Sequence, residues 1–113
     1  MEKTGNRKLD SYLGFCIRSG KITFGVDNVE KERKNVFLLI ADETLGESSF
    51  KTVLKVKEKF ACPLLTAEKD VLGERLHRPA VKVAAVKDKS LAAAILSVVG
   101  DEPHFKIYSG GTN

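Results

Sequence analysis

The sequence predicts an α/β protein, a three-layer α/β/α sandwich whose central mixed sheet has about four strands. Segments with helical periodicity alternate with short apolar segments along the chain, an order that is typical of helices packed on both faces of a sheet. The segment "NVFLLIADE" is a continuous apolar run between polar residues, which indicates a strand buried on both faces. The 113 residues suit one compact domain.

The first helix is predicted over residues 8–19, where apolar side chains recur every three or four positions. Gly20 follows as the expected helix terminator. "KITF" is a brief extended segment that leads to Gly25. A short polar helix is then predicted, with Asn35 as its terminator. Its buried face is small, consisting of Val26 and Val29.

The strand "NVFLLIADE" is followed by a helix that begins at Ser48 or Ser49 and continues to Phe60. Either serine could accept a capping hydrogen bond at the start of this helix. The inward side of this helix is expected to consist of Phe50, Val53, Leu54 and Phe60.

The last third of the chain repeats the alternation. "CPLLTA" is a short strand, "EKDVLGERL" is a turn that leads into a short helix, and "AVKVAAV" is the next strand. Ser90 is the predicted cap of a helix that ends at Gly100. The apolar residues Leu91, Ile95, Val98 and Val99 are its expected buried face.

We therefore expect one domain over residues 1–100 and a C-terminal tail over residues 101–113. The tail is expected to be partly docked through Phe105, Ile107 and Tyr108, with "SGGTN" frayed. The chain lacks the apolar core of a signal peptide and any run of membrane-spanning length, which favours a cytoplasmic protein with no membrane partner. We expect a monomer.

The composition favours a polyanionic partner and gives little support for catalysis. The formal net charge is +4, with a pI near 9.1. Cys16 and Cys62 are far apart and are expected to pack as small apolar residues. His77 and His104 share no metal-ligand spacing, and no nucleotide-binding motif is present. The acidic pair Asp42 and Glu43 is expected in a solvated turn, so we predict no enzyme activity, no metal and no cofactor.

Two glycine-centred junctions, "FGVDNVEK" and "VLGERLHRP", are the most informative features of the sequence. At the first, Gly25 precedes a helix whose free N–H groups could receive a phosphate. Glycine has no Cβ, so a nucleic-acid backbone could approach closely there, and Lys31 could reach the same end. The alternative from these residues alone is that Gly25 serves a turn and Asp27 caps the helix.

The order and spacing of "GKITFGVDNVEK", "VFLLIADET", "VLGERL" and "AVKVAAVKD" resemble the kink-turn RNA-binding ribosomal-protein superfamily. Within it, the chain is most similar to the small bacterial YlxQ-like branch, often encoded beside transcription-elongation and translation-initiation factor genes. The resemblance covers about residues 9–99 and implies a three-layer α/β/α fold. It implies non-catalytic binding of structured RNA, such as a kink-turn or ribosomal RNA, and a ribonucleoprotein partner such as the ribosome.

The resemblance also implies where RNA would bind. The family pattern Gly-x-Asn-Glu-x-x-Lys is matched by Gly25 and Lys31, while Asp27 replaces the Asn and Asn28 replaces the Glu. An ionised Asp can only accept hydrogen bonds, so Asp27 could accept from guanine N1–H or N2–H. The second family element is a loop after the "LG" pair that covers extruded bases. The full set of RNA-binding residues predicted here is Gly25, Asp27, Asn28, Lys31, Lys34, Leu72, Gly73, Arg75, Leu76, His77 and Arg78.

Two other functions remain open from the sequence. The replacements at Asp27 and Asn28, with the apolar tail residues, fit a protein–protein adaptor of the transcription or translation machinery that kept the fold and lost kink-turn specificity. An enzyme fragment ranks last, because the chain is too short to hold a cofactor domain. Lys51, Lys55 and Lys59 fall one turn apart on a helix and are expected to form a solvated face, with a secondary RNA contact as the alternative.

Overall fold

The computed structural model describes the backbone of residues 4–109 and the side chains of residues 8–109. Within this range five helices and five strands alternate. The helices are α1 (Thr4–Arg18), α2 (Val26–Glu30), α3 (Glu47–Phe60), α4 (Val71–Leu76) and α5 (Lys89–Val99). The strands are β1 (Ile22–Phe24), β2 (Leu38–Asp42), β3 (Leu64–Ala67), β4 (Val83–Val86) and β5 (Phe105–Ile107).

The strands form one mixed sheet in the order β1-β4-β2-β3-β5. β2 and β3 are parallel, and the other neighbouring strands are antiparallel. β2 lies at the centre and is buried along its whole length. Leu38 and Ile40 contact the core shared with α1, α4 and α5, whereas Leu39 and Ala41 contact the core shared with α2 and α3. The predicted three-layer α/β/α class is confirmed.

The sheet has one strand more than the sequence predicts. β5 comes from the C-terminal tail, where the Tyr108 N–H also donates to the Leu64 carbonyl oxygen at 2.8 Å. β5 has three residues, of which only one has a buried apolar side chain, and this is too little for a recognisable strand pattern in the sequence. The segment is a strand only because it pairs with β3. The Tyr108 ring meets the Phe50 ring edge-on at 5.4 Å. Of the tail predicted to be frayed, residues 110–113 lie outside the described range.

Several predicted helix ends differ from the structure. α2 ends at Glu30 and not near Asn35, which instead adopts a left-handed conformation in the following loop. The cap of α3 is Gly46 with no side-chain hydrogen bond, so neither serine has this role. The cap of α5 is Asp88 and not Ser90, because the Asp88 carboxylate accepts from the Leu91 N–H at 2.8 Å. Gly20 ends α1 as predicted, with a φ of 68°.

The two cysteines pack as small apolar residues, as the sequence predicts. Cys16 lies in the core on the α1 side and Cys62 in the core on the α3 side, and both are free thiols. Burial, with a smaller effect of the Asp88 charge, raises the pKa of Cys16 to about 11. Burial also raises the pKa of Cys62. Neither thiol is therefore a reactive thiolate at neutral pH.

Candidate functional site

Both glycine junctions lie at one end of the central sheet, where strands β1, β2 and β3 finish. β1 ends at Phe24, which pairs with Ala84 near the start of β4. β2 and β3 both end there, since Asp42 pairs with Ala67. Gly25 directly follows β1, and α4 begins shortly after β3. Both junctions therefore extend from the same end of the sheet.

Gly25 is required by its backbone conformation. Its φ of 89° and ψ of 142° lie in a region that side chains with a Cβ rarely adopt. Its N–H donates to the Val83 carbonyl oxygen at 2.9 Å, which fixes the junction to the start of β4. Its carbonyl oxygen accepts from the Val29 N–H at 2.9 Å and begins α2. Gly25 thus serves a turn, and Asp27 makes no capping hydrogen bond.

The side chains around this turn are polar and exposed. Asp27, Asn28, Lys31 and Lys34 are all on the surface. Asn28 Nδ2 donates to the Phe24 carbonyl oxygen at 3.0 Å. This bond uses the amide nitrogen as a donor toward the protein and leaves the side-chain oxygen able to accept another hydrogen bond. Asp27 and Asn28 therefore present neighbouring hydrogen-bond acceptors, with the Lys31 ammonium close by in the chain.

The second junction is built by a close contact between α4 and the loop after it. The Arg78 N–H donates to the Gly73 carbonyl oxygen at 2.8 Å. A Cβ on Gly73 would lie 2.9 Å from the carbonyl oxygens of both Arg78 and Pro79. Such a contact is too short for backbone atoms to tolerate without moving. Gly73 is needed because the loop folds back against the helix.

The structure separates the predicted residues of this second junction into two groups. Arg75 and Leu76 belong to α4 and do not lie in the loop, which corrects the predicted position. Leu72, Gly73 and Leu76 are buried. Their part in RNA binding stays a prediction, and their burial restricts it to holding the loop in place. His77 and Arg78 are exposed in the loop, with His77 left-handed at a φ of 58°.

Arg75 points away from the loop into a polar cluster. Its guanidinium lies 3.0 Å from a carboxylate oxygen of Glu102, which is fully buried, and 3.4 Å from one of Asp10. It also stands over the Phe105 ring, with 5.5 Å between the guanidinium carbon and the ring centre. This side chain ties α4 to α1 and to the tail. Arg75 thus forms ion pairs within the protein, whereas the described residues form none with Arg78.

Arg78 joins the two junctions. Its guanidinium carbon lies 5.0 Å from the centre of the Phe24 ring. Phe24 is the residue immediately before Gly25. A cation at this distance from an aromatic face is attracted by about 0.5–1 kcal/mol when exposed. The structure therefore places an exposed arginine beside the Gly25 turn. The exposed set Asp27, Asn28, Lys31, His77 and Arg78 is termed the junction surface.

Asp42 does not lie in the environment that the sequence predicts. It was expected in a solvated turn, yet it is buried at the end of β2. One carboxylate oxygen accepts from the N–H and hydroxyl of Thr44 at 2.7 and 2.5 Å, and the other accepts from the Asp70 N–H at 2.8 Å. Lys82 Nζ lies 3.8 Å from it. Burial alone would raise the pKa of Asp42, but the Thr44 and Asp70 hydrogen bonds and Lys82 lower it below its ordinary value.

These bonds hold the two ends of the second junction. Asp70 is the residue before α4, and Lys82 ends the loop that follows α4. Lys82 Nζ also donates to the Thr44 hydroxyl at 3.2 Å. Asp42 is thus a common anchor for segments on both sides of the loop. The signal in the sequence is an acid at the end of an otherwise apolar strand.

Glu32 has a similar role at the exit of α2. It accepts from the Thr23 hydroxyl at 2.6 Å and lies 3.1 Å from Lys87 Nζ. Its carbonyl oxygen accepts from Lys59 Nζ at 2.8 Å. Burial alone would raise the pKa of Glu32, but the Thr23 and Lys87 contacts lower it. The short helix α2 is therefore held by polar bonds at its exit as well as by the buried Val29.

Among the described residues, no group of three or more His, Cys, Asp and Glu side chains is arranged to hold a metal ion. His104 Nδ1 lies 2.8 Å from a Glu68 carboxylate oxygen in an exposed pair. Of the helices in the described range, none has the length and apolar content that a bilayer span requires.

Comparison with known proteins gives structural likeness without sequence relatives. No protein-family model matches the chain, and no curated protein is similar to it in sequence. A solved structure of a protein of unknown function from Bacillus halodurans has a TM-score of 0.72 and 22% identity, over 82% of this chain and 97% of its own. The 15.5kD RNA-binding protein of Giardia lamblia has a TM-score of 0.61 and 16% identity, over 89% of each chain. The chain shares its fold with both proteins.

Proposed function

We propose that this protein binds structured RNA through the junction surface. The observation that carries the proposal is the contact of Arg78 with Phe24, which brings two glycine-centred loops together as one exposed polar surface. Two loops from different parts of a rigid sheet can contact two parts of a folded RNA at once. Lys34 is exposed in the loop after α2, three residues beyond Lys31, and adds to the positive charge.

The similarity of fold supports this proposal. The Giardia lamblia protein is an RNA-binding protein by name, and the likeness to it spans most of both chains. We infer that this chain binds RNA as well, and that it is a member of the kink-turn superfamily with a kink-turn or a ribosomal RNA as its partner. Binding needs no reaction, which suits a surface without converging titratable groups. We place the protein in the cytoplasm with ribonucleoprotein partners.

The chemistry of the junction surface fits a bent RNA with exposed bases. Lys31 and Arg78 would contact phosphates, and these contacts position the RNA without reading its sequence. Asp27 and the outward oxygen of Asn28 would accept hydrogen bonds from base edges that donate, such as guanine N1–H and N2–H. His77 offers an exposed ring for stacking on an unpaired base. The site therefore combines phosphate contacts with a preference for donor groups.

The test is a binding titration with two RNAs over a series of salt concentrations. One RNA contains a kink-turn, and the other carries mutations in its guanine–adenine pairs that abolish the bend. We expect tighter binding to the intact bend and a loss of affinity with salt. Equal and weak binding to both RNAs would contradict the kink-turn proposal.

Changing Lys31 to Ala tests the location of the site. Lys31 is exposed and has no ion pair among the described residues, so its removal should barely alter stability. We expect about a five-fold to ten-fold weaker Kd from the loss of one phosphate contact. The matched control is Lys89→Ala. Lys89 is an exposed lysine at the opposite end of the sheet, just after β4. An equal effect of both changes would mean that the site is misplaced.

A second function is favoured by one observation, the exposed tail strand. Ile107 is 59% exposed on β5, an edge strand with a free side. An adaptor of the transcription or translation machinery could use this edge to bind a protein. A pull-down after nuclease treatment separates the two functions. A protein partner that is retained after the nuclease favours the adaptor, and one that is lost favours RNA.

A further inference from the structure

The outer face of α3 carries a regular row of positive charge. Lys51, Lys55 and Lys59 follow one another at intervals of four residues and are all exposed. Eight residues of helix separate the first lysine from the last, which is about 12 Å along the axis. Residues four apart lie on the same side of a helix. The row is therefore a single line of ammonium groups.

No acid of the described chain neutralises the first two lysines of the row. Lys51 and Lys55 form no ion pair among the described residues, in contrast to Lys82 and Lys87. Like charges four residues apart destabilise a helix by a few tenths of a kcal/mol per pair. The acids of α3, Glu47 and Glu58, are exposed and leave the row unpaired. A polyanion laid along the helix would relieve this repulsion.

The row continues into the segment after α2. Lys59 Nζ donates to the Glu32 carbonyl oxygen at 2.8 Å, so the end of the row touches the exit of α2. The exposed Arg33 and Lys34 follow immediately in the chain. α2 and α3 share one apolar core through Val29 and Val53, which keeps the two helices together. The positive charge therefore extends from the junction surface along α3.

Hydroxyl groups accompany the lysines at the other end of the row. An open groove of about 510 Å³ is lined by Ser48, Thr52, Lys51, Lys55 and Glu47. Lysine and hydroxyl side chains are common donors to phosphate oxygens, and such contacts carry no sequence preference. The groove has the donors that a sugar–phosphate backbone needs.

We propose that the α3 row (Lys51, Lys55 and Lys59) binds the phosphates of an RNA stem that extends from the bend held by the junction surface. This inference rests on the proposed function and adds a second contact to it. Phosphates on one strand of a duplex follow one another every few ångströms along the axis, about 3.4 Å in B-form DNA. A line of about 12 Å can therefore face several of them. The stem is recognised by its charge and shape.

The experiment measures RNA affinity over a salt series for the double variant Lys51→Gln, Lys55→Gln. Lys59 is left in place because it also bonds to the α2 exit. The matched control is Lys8→Gln, Lys89→Gln, which removes two exposed charges from α1 and α5 on the opposite face of the sheet. Each variant is titrated with a kink-turn RNA that has a long stem and with one whose stem is cut back to the bend.

For the long-stem RNA, the α3 variant should reduce the slope of log K against log salt by about 1.4–1.8, from about 0.7–0.9 per phosphate contact. Its Kd should weaken about ten-fold or more near 0.1 M salt. With the cut-back stem the α3 variant should bind like the wild type. The control variant should leave the slope within about 0.5 for both RNAs.

An unchanged slope with the long stem, or an equal change in the control variant, would overturn the α3 proposal. The Lys31→Ala variant, measured beside them, reports on the junction surface by itself. If Lys31→Ala weakens binding and the α3 variant does not, the α3 row is refuted and the proposed function stands. If the α3 variant alone lowers the slope, and bent and unbent RNAs bind equally, the row binds duplex RNA and the junction proposal fails.

Discussion

Asp42→Asn should destabilise the protein strongly, although the two side chains have almost the same shape. In the wild type, one carboxylate oxygen accepts two hydrogen bonds from Thr44 and the other accepts one from the Asp70 N–H. An asparagine keeps one acceptor oxygen and turns an NH₂ group toward the remaining donor. If the oxygen stays with Thr44, two donors face each other at the start of α4. The partly buried N–H of Asp70 then loses its acceptor.

The magnitude follows from the bonds lost. A hydrogen bond to a charged group contributes about 1.5–3 kcal/mol, and the loss here is one such bond. The lost attraction to Lys82 adds about 0–1 kcal/mol, since its ammonium is 3.8 Å away and 40% exposed. The sum is about 1.5–4 kcal/mol. The unfolding entropy is about 0.24 kcal/mol/K for 113 residues, so Tm should fall by about 6–17 °C.

The effect should depend on pH, because the pKa of Asp42 is lowered in the folded state. A carboxylate with a lowered pKa stabilises the fold above its ordinary pKa of 3.8, and this contribution is lost as the pH falls through the folded value. The difference between wild type and Asp42→Asn should therefore be constant near pH 7 and shrink below about pH 4.

The assay is thermal unfolding by circular dichroism at several pH values, with Glu43→Gln as the control. Glu43 is the exposed neighbour of Asp42, and its one described side-chain bond is a long one of 3.4 Å to the Lys69 N–H. Its variant should change Tm by less than about 2 °C. The reasoning is refuted if the two variants are equally stable, or if the Asp42→Asn difference persists unchanged at pH 3.

Three further changes test the supports of the junction surface. Gly25→Ala should cost about 1–3 kcal/mol by backbone strain alone, measured by urea unfolding, since its Cβ meets nothing closer than 3.9 Å. Gly73→Ala should cost about 1–3 kcal/mol and also displace the loop at Pro79, seen as shifted loop resonances and weaker RNA binding. Glu32→Gln should cost about 1 kcal/mol near neutral pH and little at acid pH, because the pKa of Glu32 is lowered by its partners, including Lys87. A Gly25→Ala protein as stable as wild type would contradict its assigned turn.

The order of helices and strands up to Gly100 could be predicted from local pattern. The apolar run before Asp42 is long enough to indicate a buried strand, and the periodicity of α1 and α5 is regular. Helix caps were less predictable, because Asp88 and Ser90 are both good capping residues and are only two positions apart. Only the bond from the Leu91 N–H distinguishes them. The strand β5 depends on its pairing with β3, which no local pattern contains.

The candidate site was less predictable than the fold because it depends on which side chains meet. Arg75 and Arg78 have the same side chain, three residues apart in one motif. The helix turns Arg75 toward the buried Glu102, whereas the loop turns Arg78 toward Phe24. Asp42 looked like a solvated acid because two of its hydrogen-bond donors are the backbone N–H groups of Thr44 and Asp70, beside the Thr44 hydroxyl and Lys82. Backbone donors leave no trace in the residue types.

Under the proposed kink-turn membership, Asp27–Asn28 stands in place of a family Asn–Glu pair, and this has a structural consequence for the proposed recognition. At position 28 the amide donates inward to the Phe24 carbonyl oxygen at 3.0 Å, a bond that a glutamate could not make. Asn28 thereby stabilises the Gly25 turn, and the acceptor that faces outward is neutral, while the neighbouring Asp27 supplies the charge. Compared with that family pattern, the negative charge lies one residue closer to Gly25, and both exposed side chains can accept hydrogen bonds. If the junction surface binds RNA as proposed, recognition should favour donor edges, and Asp27→Asn should relax the preference for the guanine–adenine pairs while the proposed phosphate contact of Lys31 is kept.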